Sequence, residues 1–207
     1  SYTCDVTRYR YINKRFMTTV NTVGSDVVYI VNPNNPTGTT VTNKTIDKLC
    51  QYNKNVIVDE AYYEFNNYRT CANLLDKHTN LFILRTLSKA CGGAGVRIGY
   101  IMTHPTNVSS ISIVKPAYEI SGIGVKFLQY ICDNPDMIEE SVSRLKKAKR
   151  QIEDKYTCIP CKGNYVLMEH TSKLWTELSK IADIKLIDVN AKKFIRMTVT
   201  NHEDIIG

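Results

Sequence analysis

Val27-Val28-Tyr29-Ile30-Val31-Asn32-Pro33-Asn34-Asn35-Pro36-Thr37-Gly38 joins an apolar run to a turn rich in proline and asparagine. Its first five residues form a short, continuous apolar run with β-branched side chains, the pattern of a buried strand. The next seven hold two prolines, three asparagines and a glycine, which make a rigid turn. A helix is expected to follow, capped by Thr42 or Asn43 and running to about Tyr52. The same grammar recurs downstream. Residues 56–58 read as a strand ending in Asp59-Glu60, and 81–84 as a strand ending in Arg85-Thr86. A fourth strand, 98–102, comes after a Gly-rich turn. Short apolar strands separated by helices or long loops predict an α/β fold, a mainly parallel sheet with flanking helices. Ligands of such sheets gather at the carboxyl ends of the strands, and three polar motifs sit there.

Away from this region the pattern changes. The first 24 residues are weakly patterned and receive no element. Residues 121–132 and 135–154 read as helices, the second capped by Asp133 or Asn134 with Pro135 at its first position. Ile138, Val142, Leu145, Ala148 and Ile152 form one apolar stripe along it. After a turn at 160–163 come a strand (165–168), a helix (174–181) and two strands (184–189 and 194–199), an α+β pattern. The expected division is a partial large domain over 1–154 and a small, truncated C-terminal domain over 155–207, with the boundary within 154–163.

The composition is that of an ordinary soluble globular protein: 207 residues, 43% hydrophobic and 23% charged. No apolar run spans a bilayer, and no signal segment opens the chain. The absence of an initiator Met reads as a fragment or a trimmed form of a chain. Net charge is +7. No aromatic-interleaved basic motif accompanies it, so a basic surface or a site for anionic ligands is the reading, not nucleic acid. The densest cluster, Arg144, Lys146, Lys147, Lys149 and Arg150, reads as a solvated helix face. Seven irregularly spaced cysteines argue for a reducing compartment, taken as the cytoplasm. The lone Cys158-Ile159-Pro160-Cys161 lacks a second ligand pair for zinc, so its cysteines are taken as structural or incidental and no metal is expected.

Lys89 follows a buried strand directly and is flanked by hydroxyls (Thr86, Ser88) and glycines (Gly92, Gly93, Gly95), an odd place for a solvated charge. The hydroxyls suit phosphate oxygens, the glycines permit close backbone approach, and Arg97 adds a planar fork for phosphate. A lysine beside a phosphate site is what Schiff-base chemistry needs. Lys89 precedes the glycines, so the arrangement is not a P-loop. At the end of its strand, Asp59 can ligate a metal, act as a base or pair with a cationic ring nitrogen, and Tyr62 stands three residues on. Asn35 can present an amide to a ring oxygen.

These motifs, with Gly95-Val96-Arg97-Ile98-Gly99-Tyr100 after them, resemble the class I/II aminotransferases of fold type I, most closely the histidinol-phosphate branch. The resemblance is dense over 27–100. It continues through Lys115-Pro116, Gly163-Asn164-Tyr165-Val166-Leu167 and Ile195-Arg196-Met197-Thr198-Val199. It implies pyridoxal 5′-phosphate as cofactor, amino acids and 2-oxo acids as substrates, and a homodimer. By resemblance, Lys89 carries the Schiff base and moves the proton, and Asp59 pairs with the pyridine nitrogen. Asn35 and Tyr62 bind the ring's phenolic oxygen, Thr86, Ser88 and Arg97 hold the phosphate, and Arg196 clamps the substrate carboxylate. The family's long N-terminal portion has almost no counterpart here. It supplies a ring-stacking aromatic residue, a phosphate-binding loop, part of the small domain and a tyrosine lent across the dimer. Glu119 and Ile120 also depart from the Tyr-Asn-Val-type run of the histidinol-phosphate enzymes. Two alternatives stand beside the aminotransferase: a decarboxylase of an amino-acid phosphate using the same residues, and a truncated, inactive homologue serving as a binding module.

Overall fold

The structure, a computed structural model, describes residues 8–20, 22–117, 119–189 and 191–200. The chain opens with an antiparallel hairpin of β1 (Arg8–Ile12) and β2 (Arg15–Thr19), where no element was expected. Its two-residue turn, Asn13-Lys14, takes positive φ at both positions (49° and 59°). That is the geometry hairpins favour, but a lysine in place of the usual glycine hides the signal.

The central sheet has the order β3 (Val28–Val31), β4 (Val56–Asp59), β5 (Leu81–Thr86), β6 (Gly99–Thr103). The first three strands are parallel, and β6 pairs antiparallel with β5. Helix α1 (Asn43–Tyr52) connects β3 to β4. Thr42 caps it, its side chain accepting from the Thr45 amide, which settles the choice between Thr42 and Asn43. Ile46, Leu49 and Cys50 of α1 pack with Val28, Ile30, Val56, Val58, Leu81 and Ile83 in one core. This burial of alternate strand residues fixes the register that brings Val31, Asp59 and Leu84 side by side at the carboxyl edge.

Beyond β6 come α2 (Val108–Ile113), α3 (Gly122–Asp133) and α4 (Asp136–Lys155). Helix α4 starts one residue later than expected, with Pro135 in the N-cap position and no side-chain cap. The second sheet is antiparallel, in the order β7 (Tyr165–Glu169), β9 (Lys192–Thr198), β8 (Ile184–Val189). Helix α5 (Ser172–Leu178) lies between β7 and β8 and is capped by Thr171. Val142, Leu145 and Ile152, three of the five stripe residues of α4, pack into the same core as β7 and β9, together with Phe16, Tyr62 and Phe65. The helix that ends the expected large domain is thus built into the second core.

The basic cluster on α4 is only partly a solvated face. Lys149 is turned inward, its side chain 12% exposed, and its ammonium donates to the carbonyls of Cys161 (2.8 Å) and Gly163 (3.2 Å). Those unpaired loop carbonyls need donors, and a lysine stem can lie along apolar surface to reach them. Lys146 donates to Asn67 Oδ1 at 3.1 Å; its pKa is lowered by burial first and then by Lys162 and Arg150.

The two cores meet at two turns. Gly38 has φ of +65°, and a Cβ on it would lie 2.2 Å from Cys161 Cβ. Gly38 O accepts from the Lys162 amide at 3.0 Å, and the Tyr165 hydroxyl donates to Asn34 O at 2.7 Å. Gly38→Ala combines a left-handed backbone with a steric clash and is expected to destabilise the fold by about 3 kcal/mol, measured by urea unfolding.

Glu64, in the 3₁₀ turn Tyr63–Asn66, is buried with Oε2 unpartnered. Burial pushes its pKa from 4.5 up to about 7, opposed by its own backbone amide and by Arg85 and reinforced by Glu60. The unfolded chain therefore loses this proton near pH 4.5 and the folded chain near pH 7, so the group removes stability as pH rises between them. Glu64→Gln should flatten the fall in Tm between pH 5 and pH 8; an unchanged slope would assign that pH dependence to another group.

Candidate active site

The turn after β3 uses its asparagines unequally. Asn32 and Asn34 are buried. Asn32 Oδ1 accepts from the Val41 amide and its Nδ2 donates to Val41 O, while Asn34 Nδ2 donates to Thr37 Oγ1 at 2.7 Å. Both hold the turn closed. Asn35 is the one exposed, and its Nδ2 reaches the Tyr62 hydroxyl at 3.4 Å.

The two acids after β4 separate by strand alternation, which sends neighbouring side chains to opposite faces. Glu60 is 1% exposed. It accepts from Arg85 Nε (3.1 Å) and Nη2 (2.9 Å), from the Thr70 hydroxyl and from the Cys71 amide. This is a fully satisfied structural carboxylate. Asp59 is half-buried on the other face. Its Oδ1 accepts from the Ala61 amide at 3.0 Å and its Oδ2 from the Tyr29 hydroxyl at 2.8 Å. Burial first, then the bond to Asp59, pushes the Tyr29 pKa up to about 12, so Tyr29 is a donor at neutral pH.

After β5 the chain turns sharply. Thr86 Oγ1 lies 2.9 Å from Ser88 Oγ, accepts from the Ser88 amide and reaches Ile98 O at 3.1 Å. The Lys89 ammonium sits 5.4 Å from the centroid of the Tyr62 ring. Arg97 is exposed at φ +56°, its Nη1 donating to Ala94 O, so nothing buries its remaining donors. Above Gly92 and Gly95 an added Cβ would meet nothing within 4 Å, which leaves backbone open to an incoming group. Gly93 is different: its Cβ would strike the Phe127 ring at 2.6 Å, which makes it a packing glycine for α3.

Arg196 comes from the second sheet. Its guanidinium carbon lies 4.3 Å from the centroid of the Tyr165 ring. Its Nε is buried with no acceptor among the described residues, and its Nη1 reaches Thr198 Oγ1 at 3.5 Å. Tyr165 meets the Tyr62 ring edge-on, with centroids 5.7 Å apart and planes at 85°. Tyr62 therefore stands in the middle, with Asn35 at its hydroxyl, Lys89 over its ring and Tyr165, backed by Arg196, at its edge. Asp59 reaches this group through Ala61 in the chain. Thr86 and Ser88 lie at the end of β5 and Arg97 just before β6, next to Ile98, whose carbonyl meets the Thr86 hydroxyl and the Leu87 amide.

Two residues of this constellation were not singled out in the sequence. Tyr29 is hidden because it reads as one more apolar residue in a strand. Tyr165 is hidden because its motif looks like a core strand; only the adjacent Gly163-Asn164 turn marks the place.

The donor set is an amine, a carboxylate, an amide, a phenol, two hydroxyls and two guanidinium groups, one with a buried unpartnered N–H. It is matched to a small anionic ring compound and a carboxylate substrate. Histidinol-phosphate aminotransferase of Clostridium novyi (strain NT) is 35% identical over 188 residues, 84% of this chain and 52% of the relative. A solved histidinol-phosphate aminotransferase from Sinorhizobium meliloti, in complex with pyridoxal-5′-phosphate, shares the fold with TM-score 0.75 at 21% identity, covering 87% of this chain and 55% of that one. L-threonine-O-3-phosphate decarboxylase from Porphyromonas gingivalis shares it with TM-score 0.67 at 19% identity, covering 85% and 61%. The chain thus spans about half the length of the curated relatives it matches. The profile of the family described as Aminotransferase class I and II matches residues 11–205, and the chain belongs to that family.

Proposed function

We propose that this chain carries the lysine-bearing half of a pyridoxal-phosphate-dependent aminotransferase. It would move an amino group between an amino acid, or a phosphorylated amino alcohol such as histidinol phosphate, and a 2-oxo acid. The observation that carries the reading is the convergence of Asn35, Lys89 and Arg196-backed Tyr165 on Tyr62. The cofactor, when bound, would supply an electron-withdrawing ring that serves as an electron sink for the substrate Cα. Asp59 would keep a proton on the pyridine nitrogen, with Tyr29 and the Ala61 amide fixing the carboxylate. Asn35 and Tyr62 would donate to the phenolic oxygen. Thr86, Ser88 and Arg97 would hold the phosphate by charge-assisted hydrogen bonds. The Lys89 amine would take the proton from the substrate Cα and deliver it to C4′ of the cofactor. Arg196, with its unpartnered Nε, would clamp the substrate carboxylate.

The reading extends to two functional units, large and small, and to a homodimer in the cytoplasm. Among the described residues no helix is long and apolar enough to cross a membrane. A decarboxylase of an amino-acid phosphate is the second reading, favoured by the fold shared with the threonine-phosphate enzyme.

Mixing the natural full-length protein with pyridoxal 5′-phosphate should produce a visible absorption band that borohydride bleaches. Its absence, or its persistence unchanged in Lys89→Ala, would sink the assignment. Asp59→Asn should keep the band while amino transfer falls by about 10²–10³, the loss expected for one preorganised electrostatic partner. Product analysis with a panel of amino donors separates 2-oxo-acid formation from carbon dioxide release.

A further inference from the structure

We infer that Tyr165 is a positioning residue that ties the carboxylate clamp Arg196 to the turn bearing Asn35, its ring and its hydroxyl doing separable jobs. The inference rests on the reading of Arg196 and Asn35 given above. Tyr165 has no exposed surface. Three groups from three different segments meet on it. Its hydroxyl donates to the carbonyl of Asn34, the peptide directly before Asn35, at 2.7 Å. Its ring abuts Tyr62 edge-on. The Arg196 guanidinium lies 4.3 Å from its centroid.

A cation held against an aromatic face gains attraction without using any of its N–H donors. Ion pairing with a protein carboxylate would hold Arg196 equally well but consume the donors a substrate needs. The structure avoids that: Arg196 makes no ion pair among the described residues, and its Nε is buried and unpartnered. The ring therefore fixes the guanidinium and leaves its donors for a carboxylate. The hydroxyl acts at the other end, holding the Asn34–Asn35 peptide in the position from which Asn35 reaches Tyr62.

The test uses full-length protein and two titrations, pyruvate as a minimal 2-oxo acid by calorimetry and pyridoxal 5′-phosphate by absorbance, with circular dichroism and Tm as folding controls. Tyr165→Phe keeps the ring, so the pyruvate dissociation constant should stay within about threefold while cofactor binding weakens by about three- to tenfold, the loss of one neutral hydrogen bond. Tyr165→Leu removes the ring and should raise the pyruvate dissociation constant by about tenfold or more. A folded Tyr165→Leu with unchanged pyruvate binding overturns the inference. Because leucine can unfold the core, the phenylalanine variant decides independently: unchanged cofactor binding, or pyruvate binding that falls as far as cofactor binding, overturns the separation of roles. Arg196→Lys distinguishes this failure from failure of the underlying reading. If it leaves pyruvate binding intact, the clamp itself is wrong; if it weakens binding while Tyr165→Leu does not, only the role of Tyr165 falls.

Discussion

The close approach of the 160–165 segment to the turn at 32–38 is the constraint on which the rest depends. Cys161 packs where a side chain on residue 38 would have to be, so position 38 must be glycine. Around that contact, one amide–carbonyl bond (Lys162 to Gly38) and one phenol–carbonyl bond (Tyr165 to Asn34) bind the first sheet to the second. Lys149 satisfies the carbonyls of Cys161 and Gly163 from behind. Buried backbone groups at such a junction are costly if unpaired, so the junction is defined as a unit. The candidate site is assembled across it, with Asn35, Asp59 and Lys89 on one side and Arg196 on the other.

Around the site, buried polar groups divide into those that hold and those left free to bind. Glu60 is saturated by Arg85, Thr70 and Cys71, and truncating such a pair exposes an uncompensated charge in the interior. Its neighbour Asp59 makes two hydrogen bonds and keeps acceptor capacity at the carboxyl edge of the sheet. Asn32 and Asn34 are spent on the turn, whereas Asn35 faces outward. In each case adjacent residues of the same chemical type take opposite roles because the backbone points them to opposite sides.

The cysteines and basic residues acquire a similar meaning. Cys161 is half-buried, and burial raises its pKa against the opposing influence of Lys149. Its Sγ donates to Tyr165 O. It is a packing residue of the junction, and Cys158 packs against the second core. Part of the positive charge of the chain also serves the fold: Lys149 is buried on carbonyls and Arg85 on Glu60.

The parallel core of the sheet, the turn after its first strand and the residues at the strand ends were all legible in the chain's local pattern. These follow from local rules: continuous apolar runs, proline and asparagine in turns, and a lysine among hydroxyls and glycines. The resemblance of those motifs to a known family was legible for the same reason, since they are short and contiguous. The opening hairpin was not, because its turn lacks the usual glycine. Nor were the inward turn of Lys149, the sorting of Asp59 from Glu60 or the contacts of Tyr165. The contacts of Lys149 and Tyr165 span 12 to 131 positions, and the roles of the two acids depend on which face of the sheet the fold buries. Tyr165 meets Asn34 across 131 residues, a separation over which no periodicity or spacing carries information. Tertiary packing alone decided which ring stands between Lys89 and Arg196, because only folding brings the two sheets to one junction.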